Sequence, residues 1–153
     1  MKYLATIVLS LCAFGLLAQT PLAAKFPSET MNYKPQGKPD CSSMNVAGMP
    51  PMNTCAQKYS NGKLSITISL TEYPKGNPVL LVSGNGDDTS ITKNEYTIED
   101  INVGKAKGKV TYMKKNHLAS VSMQIADKLI IDVTGPNQPD TGAVKALAKA
   151  LKL

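Results

Sequence analysis

The chain has 153 residues, 42% of them hydrophobic and 18% charged, and a formal net charge of +6. That length supplies one modest core, and the share of apolar residues excludes a wholly disordered chain. All 17 basic residues are Lys, so the planar fork that grips phosphate or guanine bidentately is missing, which argues against nucleic acid as a partner.

Residues 1–24 read as a cleaved export signal. Lys2 provides the positive start, Leu4 to Ala18 is an apolar run, and Pro21-Leu22-Ala23-Ala24 is a small-residue exit. Cleavage after Ala24 is expected, with Leu22 and Ala24 filling the two peptidase pockets. A run of about fifteen residues falls short of the roughly 20 a membrane span needs, and no later stretch is long or apolar enough for a transmembrane span. Cys12 lies inside the run behind the bulky Leu11, unlike a lipid-modified cysteine, which follows a small residue. The expected product is soluble, in the periplasm or secreted. Loss of Cys12 leaves Cys41 and Cys55, and an even pair in an oxidising compartment predicts a disulfide. Closing a loop of about 15 residues contributes roughly 3 kcal/mol in the chain-entropy model.

Residues 25–62 are expected to be an irregular, disulfide-tied segment rich in Pro and Met. Pro27, Pro35, Pro39, Pro50 and Pro51 interrupt it, with Gly37, Gly48 and Gly62. Residues 63–153 are expected to form an α+β domain, with 25–153 as one folding unit. Its strongest signal is Leu64, Ile66, Ile68 and Leu70 alternating with Ser65, Thr67, Ser69 and Thr71, the period of a strand buried on one face. Turn residues from Tyr73 to Pro78 end it. Val79 to Val82 is a short apolar run, and Gly84-Asn85-Gly86-Asp87-Asp88 reads as a turn that lacks both the calcium-loop and the phosphate-loop spacing. Tyr96, Ile98, Ile101 and Val103 predict a strand with a register slip near Asp100. Lys109 to Met113 and Leu118 to Ile125 predict a hairpin, and Leu129 to Thr134 a last strand. Asp140 or Thr141 caps a helix reaching about Lys152, with Val144, Leu147 and Leu151 as its buried stripe and Lys145, Lys149 and Lys152 in water. The sum is an antiparallel meander of about five or six strands with one C-terminal helix. In layout it resembles small exported bacterial proteins, without a shared motif.

Three features carry candidate chemistry. Met44, Met49 and Met52 lie between the two cysteines, with Met31 upstream. Thioethers are soft ligands that select Cu(I) or Ag(I) where thiols are tied up, but they also pack adaptably or offer an apolar contact surface. Lys105, Lys107, Lys109, Lys114 and Lys115 are either lysines guarding a sheet edge or a docking patch for an anionic surface or acidic partner. Asp87, Asp88, Glu95, Glu99 and Asp100 just upstream are placed to cancel part of their field across the sheet. His117 is the single histidine and sits in a predicted turn, with no nucleophile-elbow pattern around any serine, so a small hydrolase is the weakest alternative.

These features favour an exported, soluble, non-enzymatic binding or accessory protein of the cell envelope, with no cofactor and an envelope protein or anionic surface as partner. A periplasmic Cu(I)/Ag(I)-binding protein using the Met loop is the alternative.

Overall fold

The computed structural model describes residues 22–77 and 95–153. The short apolar run Val79 to Val82 and the expected Gly84–Asp88 turn lie outside them, as do Asp87 and Asp88. Among the described residues eight strands form one antiparallel sheet: β1 (Lys34–Pro35), β2 (Asp40–Met44), β3 (Met52–Ser60), β4 (Ser65–Glu72), β5 (Tyr96–Val103), β6 (Ala106–Met113), β7 (Leu118–Ile125) and β8 (Leu129–Gly135). One helix, α1 (Gly142–Lys149), follows.

The sheet consists of two meanders, β2–β3–β4 and β5–β6–β7–β8, joined edge to edge where β4 pairs β8. The outer neighbour of β3 is a strand in two pieces, because β1 and β2 both pair with it. Pro35, Gly37 and Pro39 explain the break, since proline gives no N–H to a ladder and Gly37 turns with φ of +73°. Short, proline-bearing edge strands resist pairing with another chain.

The strand count exceeds the expected five or six, and the excess falls in 25–62, which is not irregular throughout. Its prolines do lie where pairing breaks. After the last of them, Pro51, β3 runs for nine residues and is paired on both sides. Its inward positions are Cys55, Gln57 and Tyr59, all buried. No aliphatic residue marks that alternation, so the period-two pattern is hidden from a hydropathy reading. The slip near Asp100 is also absent. β5 pairs β6 without interruption from Tyr96 to Val103, which sends Ile98 and Ile101 to opposite faces. Ile101 is buried and Ile98 is 51% exposed.

One face of the sheet is dry. Ile66, Ile68 and Leu70 of β4 meet Ile131 and Val133 of β8, and Val121 and Met123 of β7 continue the layer. Val144, Leu147 and Leu151 of α1 belong to the same core, with α1 packed on β7 and β8. Asp140 Oδ1 accepts the Gly142 N–H and satisfies one of the open donors at the helix start. β6 and β7 approach closely at Gly108, where any Cβ would strike the Ser122 carbonyl. The chain before β1 closes the layer. Leu22 is fully buried, Phe26 and Tyr33 nearly so, and Lys25 O accepts the Lys152 N–H at 2.9 Å, tying the two ends together. Tyr59 is completely enclosed and donates to Pro27 O at 2.7 Å. Burial pushes its phenol from 10.0 up to about 12, because the ionised form loses its hydration.

The other face carries hydroxyls and scattered charges. Ser69, Asp132, Ser122, Lys109 and Asp100 form one row across five strands.

A methionine-lined hollow at the hairpin tip as candidate functional site

The β2–β3 hairpin is held in register by three successive devices. Cys41 lies opposite Cys55, and the two form a disulfide with Cα atoms 4.1 Å apart. Ser42 Oγ and Thr54 Oγ1 share a hydrogen bond of 2.8 Å, and Ser43 Oγ donates to Asn53 Oδ1 at 2.7 Å. Asn53 in turn donates to Glu72 of β4 at 3.3 Å. The next pair is Met44 opposite Met52, so both side chains leave the same face. The loop beyond them turns through Met49 N–H to Val46 O at 3.1 Å.

Met44, Met49 and Met52 line one hollow of about 260 Å³, together with Val46, Pro50, Tyr73 and Asn77. Its far wall is fixed to the β7–β8 turn: Tyr73 N–H donates to Lys128 O at 2.7 Å and Asn77 N–H to Asp127 O at 2.8 Å. The hollow falls below the roughly 300–1,000 Å³ of a drug-sized ligand site. It suits one large apolar side chain or a single ion. Met44 is 49% exposed and Met49 64%, with Val46 at 45%. Methionines that fill a core are buried, as Met123 is at 2%. Simple core packing therefore does not account for Met44 and Met49. Met31, also 60% exposed, does not line the hollow.

Sequence spacing alone did not pick out Val46, Pro50, Tyr73 or Asn77. A signal for the Met pair was nonetheless present. Met44 is three residues after Cys41 and Met52 three before Cys55, so a disulfide between facing antiparallel residues places the two methionines opposite each other.

The lysines do not gather. Lys107 and Lys109 lie on β6, Lys105 in the turn before it, and Lys114 and Lys115 in the turn after it. At about 3.4 Å per residue the row stretches over roughly 30 Å. β6 is an inner strand, with β5 outside it, so these lysines do not guard a sheet edge. Asp100 faces Lys109 in the β5–β6 register, as the expected charge cancellation requires. Glu99 points the other way and binds Lys145 of α1 at 2.9 and 3.1 Å, so Lys145 is partnered rather than simply in water. The hydrogen bond from the Lys145 ammonium holds the Glu99 carboxyl below its ordinary range.

His117 is exposed in the β6–β7 turn with φ of +49°. Tyr112 Oη lies 3.1 Å from its Nδ1, 3.1 Å from Gln138 O and 3.0 Å from Pro139 O. The carbonyls can only accept, so the phenol proton goes to them and His117 Nδ1–H donates to Tyr112. Gln138, buried at 1%, accepts from Tyr33 and donates to Ser65 O and Pro136 O. These bonds form a structural strut between the N-terminal segment, β4 and the β6–β7 turn.

Among the described residues no group of three or more His, Cys, Asp or Glu is placed to hold a metal ion, and no helix is long and apolar enough to cross a membrane. Comparison with protein-family models, curated proteins and solved structures finds no match for the chain.

Proposed function

We propose that the protein is an exported, non-enzymatic binding protein of the cell envelope, and that it seats an apolar side chain of an envelope partner in the hollow lined by Met44, Met49 and Met52. The observation that carries this is the convergence of these methionines, two of them about half exposed or more, on one apolar hollow whose register a disulfide fixes. Flexible thioether side chains adapt to varied apolar partners, which suits a contact surface. Export is supported by the signal-like N-terminus, and the disulfide is compatible with an oxidising compartment. A non-enzymatic role is supported by the engagement of the His117 ring with Tyr112 and by the opposite directions of Glu99 and Asp100. The dispersed lysines give less support to an anionic surface as the partner.

An apolar fluorescent probe such as N-phenylnaphthylamine tests the hollow. Wild type should enhance its emission, and replacing Met44, Met49 and Met52 together by Ser should remove the enhancement with the fold intact. Equal emission from both proteins would contradict the proposal.

Cu(I) or Ag(I) is the second candidate occupant, favoured by three thioethers on one hollow with both neighbouring thiols oxidised. Replacement of the three by Leu separates the two. Leucine keeps volume and apolarity but has no sulfur lone pair, so it retains probe binding and abolishes Cu(I) affinity. Titration against a competing Cu(I) chelator reads the result, and no tight binding by wild type removes the metal from consideration.

A further inference from the structure

The N-terminal sequence offers two export-cleavage points of the same pattern: Leu16-Leu17-Ala18 and Leu22-Ala23-Ala24. Each puts Leu and Ala at the two positions the peptidase inspects, so their letters do not separate them. The folded structure does. Leu22 is 0% exposed and belongs to the same core cluster as Val144, Leu147 and Leu151. Its carbonyl accepts the Lys25 N–H at 3.0 Å, closing the 3₁₀ turn Ala23–Lys25. That turn presents Lys25 O to Lys152 N–H just beyond the helix. Cleavage after Ala24 would cut away a buried leucine, dismantle the turn and place a new charged amino group at Lys25, beside the residues that cover the core. A hole left by a lost leucine is only partly closed by relaxation of its neighbours.

Cleavage after Ala18 keeps all of these contacts. It also fits the signal, since Ala18 ends the apolar run that opens at Leu4, about fifteen residues and within the 7–15 of an export signal. We infer that the export peptidase cleaves between Ala18 and Gln19, and that the mature chain retains Leu22 as part of its core. Water is added across that peptide bond, leaving a carboxylate on Ala18 and an amino group on Gln19. The inference rests on the export proposed above.

Intact mass and N-terminal peptide mapping of the full chain produced in an exporting bacterium test it. A start at Gln19, free or cyclised to pyroglutamate with loss of ammonia, is expected. A start beyond Leu22 overturns the inference and leaves export standing. An unprocessed chain beginning at Met1 overturns both. Thermal melts of oxidised 19–153 and 25–153 chains give an independent reading. The shorter chain should melt roughly 10 °C lower, and equal melting temperatures would show that Leu22 is dispensable and contradict the inference.

Discussion

The dry face of the sheet and the tip of the β2–β3 hairpin use apolar residues in opposite ways. Between the sheet and α1, Ile66, Ile68, Leu70, Val133 and Leu147 are completely enclosed, and the polar groups among them are matched, as with Tyr59 to Pro27 and Gln138 to Tyr33. At the tip, Met44, Val46 and Met49 stand about half open to water around a hollow. The first arrangement is what folding selects for. The second adds little to folding, because residues that remain exposed gain little of the free energy of burial. The register around the tip is nonetheless secured by a disulfide and three side-chain hydrogen bonds. A surface that is held in place but left uncovered is the feature on which the proposed contact role rests.

The comparison breaks first at Ile66. Ile66→Asp places an unpaired charge in the dry layer and should cost about 4 kcal/mol or more, enough to unfold a marginal domain. Thr67→Asp, one position along on the open face, should melt within a few degrees of wild type. Equal damage in circular-dichroism melts would show that the two faces are not distinct.

Removal of the bridge by Cys41→Ser with Cys55→Ser comes next, at roughly 3 kcal/mol. Its sharper consequence is local. Loosened register should separate Met44 from Met52, so probe emission should fall even well below the melting temperature. Full probe binding without the bridge would mean that the hollow does not depend on it.

Much of the dry face was legible from the sequence because its chemistry repeats. The Ile/Leu alternation of β4 with Ser and Thr, and the Val144–Leu147–Leu151 stripe, each follow one geometric period. The disulfide followed from removing Cys12 with the signal. β3 was not legible, since Cys55, Gln57 and Tyr59 occupy its inward positions and its buried amide reads as polar. Ile98 misled in the other direction, an aliphatic residue on the open face that suggested a register slip. The site was half legible: the three methionines stood out by composition, whereas the hollow also needs Tyr73 and Asn77, which arrive through bonds to the β7–β8 turn.

Tyr59→Phe should have a smaller effect, about 1 kcal/mol, by leaving Pro27 O without its buried donor. It also has a pH signature. The phenol ionises near pH 10 in the unfolded chain and about 12 in the folded one, so its contribution is complete below pH 10 and disappears as pH rises through 12. Alkaline stability curves of wild type and Tyr59→Phe should therefore converge across that window, and a constant gap would contradict the burial.

The smallest shift belongs to Glu99→Gln at the exposed tie to Lys145. The folded carboxyl is depressed, so the pair contributes above the ordinary carboxylate range and its contribution is lost as pH falls through the folded value. The variant should melt slightly below wild type at pH 7 and together with it in acid. A difference that grows toward low pH would reverse the assigned sign.

The methionine methyl groups test the central claim most directly. In protein labelled with ¹³C at the Met methyls, the signals of Met44, Met49 and Met52 should move together on addition of N-phenylnaphthylamine, while that of the buried Met123 stays fixed. The serine triple variant, which no longer carries these methyls, should lose the probe's emission enhancement at an unchanged melting temperature. Uniform shifts that include Met123, or a triple variant that melts far below wild type, would show that the tip serves the fold and not a partner.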